Sequence, residues 1–399
     1  MNLRWFISKT VREACAVRKH VHRILCAQSD LLSPQAVSAV GNSLEELQGA
    51  VRAGANKDAL RKQMANLETV ANKWLKPYPN AAWRENVEVL LVALAVAMGI
   101  RTFFVQPFKI PTGSMQPTLF GVTSENLLDQ PDFKIPTGMD RVREWFAGIS
   151  YLDVKAKTDG PLEAIGEPLR LLIFNIKQTL VIGGVTHTIW FPPDYGSPPR
   201  GTLEARAGLR LGETYRKGDQ VVRLKTEAGD HLFVDRISYN FCKPSRGEII
   251  VFETAGIPDP RMPQDQFYIK RLVALGGERV QIGDDHHLII NGHRLDAATP
   301  HFENVYSFDP NQIPVEGRTY FGEINEATAN KIGRFGLAPL FPDQATVHTL
   351  EKNHFMVMGD NTMDSFDSRG WGEFPASNVI GKSFFVYWPI TSRFGWGNH

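Results

Sequence analysis

Phe108-Lys109-Ile110-Pro111-Thr112-Gly113-Ser114-Met115-Gln116-Pro117-Thr118-Leu119 follows directly on the most apolar run of the chain. Pro111 and Pro117 stiffen this stretch, and Gly113 lets the backbone approach a neighbour closely or take a positive φ. A serine after such a glycine is either a held nucleophile or an ordinary turn residue. The flanking sequence decides which reading to pursue.

Upstream, residues 87–105 are apolar except for Glu88 and Arg101 near the two ends. As a helix this run would be about 28 Å long, close to the hydrocarbon thickness of a bilayer. Both charges could snorkel to an interface. A buried core helix is the competing reading, because the uncharged run covers only residues 89–100. Residues 1–85 carry 13 Lys/Arg against 7 Asp/Glu, which by the positive-inside pattern places them in the cytoplasm. The depth of the run in the chain argues against a cleaved signal peptide. The expectation is a single retained anchor at 86–106.

Within 1–85, Ser43-Leu44-Glu45-Glu46 reads as a capping box opening a helix. Leu60, Met64, Leu67, Ala71 and Trp74 recur at helical spacing. One or two amphipathic helices are expected over 43–75, paired with a helix near 10–28 and ended by Pro77 and Pro79.

Downstream the texture changes to short β-type runs at 231–239, 248–252, 266–275, 288–291, 355–358 and 383–388, with Asn291-Gly292 marking a hairpin turn. The expected fold class is a mainly β domain of antiparallel, barrel-like sheets at 107–399, behind the anchor and a helical cytoplasmic segment. Residues 120–228 are rich in Gly and Pro and read as an insertion or subdomain. Within them, 169–190 is apolar enough to suggest a second span, but Arg170, Asn175, Lys177, Gln178 and His187 favour strand.

Composition narrows the function classes. Lys+Arg 44 against Asp+Glu 43 leaves a net charge of +1, without the basic stripe of a nucleic-acid binder. Three cysteines, Cys15, Cys26 and Cys242, are too few and scattered for a disulfide framework or a CxxC metal site.

A serine nucleophile needs a base. None of the 11 histidines stands in a convincing triad pattern. Lysine is the alternative, provided apolar packing keeps it neutral. Lys270 lies in the apolar run Gln266-Phe267-Tyr268-Ile269-Lys270-Arg271-Leu272-Val273-Ala274-Leu275, where it faces either a core or, from an edge strand, solvent. A third segment, Gly359-Asp360-Asn361-Thr362-Met363-Asp364-Ser365-Phe366-Asp367-Ser368-Arg369-Gly370-Trp371-Gly372, is a loop leaving a strand. Asp367 and Arg369 could pair locally, and Asp360 could pair with Arg271. Calcium is disfavoured, because no Glu stands at the bidentate position of an EF-hand.

Together these segments resemble the type I signal peptidases, a family of Ser-Lys proteases. The resemblance covers about 101–119, 229–295 and 354–390, through Gly113-Ser114-Met115-x-Pro117-Thr118-Leu119, Gly247-Glu248-Ile249-Ile250-Val251-Phe252, Tyr268-Ile269-Lys270-Arg271 and Gly359-Asp360-Asn361-x-x-x-Ser365-x-Asp367-Ser368-Arg369. It implies a membrane-bound endopeptidase that removes signal peptides from exported preproteins after small residues at −1 and −3. In that scheme Ser114 is the nucleophile, Lys270 the general base, and Ser365 orients the lysine. The Ser114 amide and the Thr112 hydroxyl form the oxyanion hole. Asp360, Arg271, Asp367 and Arg369 brace the loop. Phe108, Ile110, Pro111, Met115, Leu119, Tyr268 and Ile269 line shallow substrate pockets. The implied partners are signal peptides, the lipid bilayer and the protein-export machinery, with no cofactor and no metal. The implied location is a bacterial inner membrane, catalytic domain outside. Phe384-Phe385-Val386-Tyr387-Trp388 resembles the family's membrane-associating surface, with a buried strand as the alternative.

Two departures stand out. The interval 120–228 is far longer than in many members, and Leu275-Gly276-Gly277-Glu278 replaces the commoner Leu-Pro-Gly-Asp. A self-cleaving repressor-type protease and an inactive signal-peptide-binding homologue are the rival readings. The first lacks its DNA-binding module here, and the second has no need of Ser114, Lys270 and Ser365 together.

Overall fold

A computed structural model describes residues 8–76, 81–130, 132–171, 174–307 and 320–396; Pro77 and Pro79 lie outside them. The chain divides into two compact units, Met1–Ala95 and Val96–His399.

In the first unit, helices α1 (Lys9–Gln28), α2 (Pro34–Arg52) and α3 (Lys57–Trp74) bury a shared cluster that includes Ala14, Val21, Val40, Leu47, Leu67 and Ala71. Met64 and Trp74 pack against it. The capping box expected at Ser43 does not open a helix. The Ser33 hydroxyl caps α2 by accepting from the Ala36 N–H, and Pro34 sits at the first helical position. Ser33-Pro34 thus supplies both a cap and a preset φ ten residues earlier, leaving Ser43 buried in mid-helix.

Helix α4 (Ala81–Phe103) is the one helix among the described residues that is long and apolar enough to cross a membrane, over Trp83–Phe103. Its side chains, among them Val89, Leu90, Leu91, Val96 and Met98, are largely exposed. It ends at Phe103, three residues short of the expected anchor boundary at 106. Val105 already pairs with Asp235 as strand, and Pro107 disfavours helix in the residue before it.

The second unit is mainly β. After β1 (Val105–Lys109) come β2 (Thr123–Asn126), β3 (Ile149–Lys155), β4 (Gly160–Ile165), β5 (Leu169–Leu171), β6 (Phe174–Ile182), β7 (Val185–Trp190), β8 (Thr214–Tyr215) and β9 (Gln220–Glu227). Then follow β10 (His231–Asp235), β11 (Ile249–Glu253), β12 (Phe267–Ala274), β13 (Arg279–Ile282), β14 (Leu288–Ile290), β15 (His293–Arg294), β16 (His348–Thr349), β17 (His354–Met358), β18 (Phe374–Pro375) and β19 (Val379–Trp388).

The main sheet has the order β1-β10-β19-β11-β12-β17-β18, antiparallel throughout. Its central strand β11 is buried on both faces. Ile249 and Val251 join one core cluster, Ile250 and Phe252 another, which is why this strand reads as a continuous apolar run. Asn291 and Gly292 turn β14 into β15 with φ of 53° and 84°, the left-handed values a two-residue hairpin requires.

Within 120–228 the described residues build strands β2 to β9. Two sheets, β2-β9-β3 and one built from β4 to β8, enclose a core of their own that includes Leu152, Leu162, Leu180, Ile182, Val222 and Leu224. The apolar stretch 169–190 lies in β5, β6 and β7 where described.

Candidate active site

Pro111 leads into a single 3-10 turn, Gly113–Met115, which buries Ser114. Asp230 holds the two ends of this segment together. Its backbone carbonyl accepts from the Ile110 N–H (2.8 Å), its N–H donates to Phe120 O (2.8 Å), and its carboxylate accepts from the Phe120 N–H (2.7 Å). Arg393 closes bidentately on that carboxylate at 2.8 and 2.9 Å.

Strand β12 brings in the second group. Adjacent residues on a strand face opposite ways, so Lys270, paired with Ile250, and Arg271, paired with Ile249, serve different sides. Lys270 is 5 % exposed, and its Nζ lies 2.6 Å from Ser114 Oγ. Burial pushes its pKa down to about 8, against the opposing pull of Asp367, Asp360 and Asp364. An amine in this setting loses its proton within reach of neutral pH, which is what a lysine base requires.

The loop after β17 supplies the rest. Met358 pairs with Arg271, so the next residues are delivered onto the serine turn. Asn361 donates its backbone N–H to Ser114 O (3.0 Å) and its side-chain amide to Gly113 O (3.0 Å). Gly359 is packed so closely that a Cβ there would stand 2.3 Å from Ser365 Oγ and 2.4 Å from Ser114 O. Only glycine fits. Arg271 grips Asp360 bidentately (2.7 and 2.5 Å), donates to Gly247 O, and shares Asp360 with the Thr118 hydroxyl. Arg369 grips Asp367 in the same fork-to-fork manner (2.9 and 2.7 Å), and the Asp367 carboxylate also accepts from the Gly359 N–H. Arg369 holds Asp367 below the ordinary carboxylate range, despite complete burial.

Two expected members stand apart from the pair. Ser365 Oγ is buried beside Asp367 and favours that carboxylate's charge, but makes no regular hydrogen bond and none to Lys270. The loop acts on Lys270 through the charges of Asp367, Asp360 and Asp364. Thr112 caps the serine turn by backbone position, is exposed, and makes no side-chain cap bond. Of the expected substrate-lining residues, Ile110, Met115 and Leu119 are sealed in a core cluster, with Phe108 and Ile269 packed against it. Pro111 and Tyr268 are half-buried. A sealed side chain shapes a pocket from beneath and offers a substrate no surface of its own.

The family model for signal peptidase, peptidase S26, matches residues 83–126 and 215–388, more than half of the chain. The chain belongs to the signal peptidase family. Signal peptidase I of Leptolyngbya laminosa is 28% identical over 165 residues, which cover 41% of this chain and 63% of that protein. Thylakoidal processing peptidase 1 of Arabidopsis thaliana is 28% identical over 167 residues, covering 41% and 38%. The chain thus spans less than two thirds of either relative. A solved signal peptidase I from Enterococcus faecalis shares 30% identity, with 35% of this chain and 97% of that one covered, at a TM-score of 0.21.

Every site residue named above up to Asp367 and Arg369 lies within the signal peptidase match, while the interval 127–214 falls outside it. That interval nonetheless reaches the site. Asp194 pairs with Lys109, Gly196 lies against Pro111 O, and Arg200 contacts Asp364 at 3.1 Å. Sequence reading missed Asn361, Asp230, Thr118 and Glu323. Asn361 and Thr118 stood in quoted motifs and could have been weighed; Asp230 and Glu323 carry no local signal.

Proposed function

We propose that this chain is a membrane-anchored serine endopeptidase that cleaves signal peptides from exported preproteins after small residues at −1 and −3. The observation that carries the reading is the 2.6 Å contact between Ser114 Oγ and the buried, low-pKa Lys270. In this scheme the neutral amine takes the Ser114 proton as Oγ bonds to the scissile carbonyl carbon. The resulting oxyanion is held by the Ser114 N–H and the Thr112 hydroxyl, donors of a kind worth about a hundredfold or more in rate. The lysine ammonium then protonates the leaving amine as the C–N bond breaks. Water, deprotonated by the same amine, then bonds to the acyl carbon, and the ester bond to Ser114 Oγ breaks as the ammonium returns the proton to that oxygen.

Phe108, Pro111, Tyr268 and Ile269 offer the accessible apolar surface, and Ile110, Met115 and Leu119 close the floor beneath. Such shallow pockets accept small side chains and exclude large ones. Residues 1–85 lie in the cytoplasm, 86–106 anchor the chain, and 107–399 face the other side of a bacterial inner membrane, where a translocated cleavage junction emerges. The bilayer and the export machinery are its partners. The thylakoidal relative's name fits the same topology in another membrane.

Processing of a preprotein in detergent by wild type, Ser114→Ala and Lys270→Ala tests the reading. Both variants should lose cleavage while keeping the wild-type circular dichroism spectrum; full cleavage by either overturns it.

A further inference from the structure

Three carboxylates and three bases are buried around the Asp367–Arg369 pair, and Asp367, Asp360 and Arg369 act on both Lys270 and Glu323. Asp360, Asp367 and Glu323 are 1, 1 and 2 % exposed, and Lys270, Arg271 and Arg369 are 5, 1 and 0 % exposed. Four of the six are matched in bidentate pairs, Asp360 with Arg271 and Asp367 with Arg369. Lys270 and Glu323 are the two left over. Glu323 Oε2 lies 3.3 Å from Arg369 Nη1, so one guanidinium serves two carboxylates.

The segment bearing Glu323 is fixed against the catalytic loop. The Glu323 N–H donates to His286 O (2.9 Å), and the Ile324 N–H donates to Thr362 Oγ1 (3.2 Å). Thr362 also accepts from Arg369. Asn325 donates to Asp284.

Net charge in a dry interior is costly, so such a cluster favours its neutral states. With both bidentate pairs kept ionised, two distributions of protons give zero. In one, all six groups are ionised. In the other, Lys270 is a free amine and Glu323 a carboxylic acid. Ionising only one of the two leaves a buried charge of one sign or the other.

We infer that Glu323 is a positioning residue for the Ser114–Lys270 pair, holding a proton when Lys270 gives one up, so that the free-base state carries no uncompensated buried charge. This rests on the reading of Lys270 as the base. Burial, reinforced by Asp367 and Asp360 and opposed by Arg369, raises the Glu323 pKa to about 8, the same region as Lys270. The other ionisable groups that bear on the pair are Tyr306 beside Glu323, Asp364 and Tyr268 near Lys270, and His286, whose backbone carbonyl meets Glu323. Glu323 and Lys270 are the two cluster members drawn toward neutrality.

The test uses the full chain in detergent and the pH profile of kcat/KM. Glu323→Gln fixes the neutral form, so a protonated Lys270 would leave the cluster one positive charge in excess. The profile should shift to more acidic pH by roughly one unit, with KM little changed, and Glu323→Asp should restore the wild-type midpoint. A structural role alone would lower stability or kcat and leave the midpoint in place, and that result overturns the inference. Should Glu323→Gln not fold, Lys270→Met carries the test. Loss of the lysine charge must keep Glu323 protonated to higher pH, seen as an infrared carbonyl band of a buried carboxylic acid that outlasts the wild-type band. Identical titrations in the two proteins overturn the proposal. Cleavage by Lys270→Met would instead refute the lysine base itself, so the two failures are distinct.

Discussion

Ser114 Oγ and Lys270 Nζ meet at 2.6 Å across 156 positions of sequence, one from a single turn behind an apolar helix and the other from the middle of a buried strand. In the proposed mechanism this contact joins nucleophile and base, and it ties activity to the charge of one amine.

Activity should therefore rise with pH. Only the unprotonated lysine accepts the Ser114 proton, and the Lys270 pKa is lowered from 10.5 to about 8 by burial. The kcat/KM profile should show a single ascending limb with its midpoint near that value. Lys270→Arg, whose guanidinium keeps its proton, should be inactive throughout.

Stability should follow the same titration. With the folded pKa below the unfolded one, the unfolded chain binds more protons between about 8 and 10.5, and wild type gains stability as pH rises through that window. The full cost of burying the ammonium is present below about 8. Relative to Lys270→Met, wild type should gain on the order of 3 kcal/mol between pH 7 and 11. Urea unfolding of both proteins at the two pH values measures this, and parallel curves would refute it.

Gly359→Ala should cripple the enzyme without unfolding it. The new methyl would need the space of Ser365 Oγ and Ser114 O, at 2.3 and 2.4 Å, so the serine turn must move. Displacements of about 1 Å at a reacting centre cost on the order of a hundredfold. Single-turnover cleavage should show the loss in the chemical step.

Arg271→Met should destabilise strongly. It strands the Asp360 carboxylate, which is buried and bound bidentately. Breaking such a pair from one side costs about 3–5 kcal/mol. Replacing Asp360 by Leu in the same chain should recover part of that loss in thermal melts.

The sequence marked some of these groups and was silent on others for definite reasons. Ser114, Lys270 and the loop 359–372 carry local signals: a proline-braced glycine turn, a lysine inside an apolar run, and a cluster of turn residues after a strand. The helical stripe from Leu60 to Trp74 was legible because burial repeats along one helix face. Ser43 misled because a capping box and a mid-helix serine before glutamates read alike, whereas Ser33 with Pro34 competes better for the helix start. Asp230 and Glu323 left no trace, since each acts only through partners distant in sequence, Arg393 and Arg369.

By itself the sequence determined the apolar helix, the strand-rich texture beyond it, and the residue types able to do acyl-transfer chemistry. These follow from periodicity and from the chemistry of single side chains, both written locally. Only the tertiary structure decided that an amine would be dry enough to lose its proton near pH 8, that one glycine would have no room for a methyl, and that a third carboxylate would join the buried cluster. Burial and electrostatic coupling depend on what surrounds a group in space, and those surroundings come from strands and loops far apart along the chain.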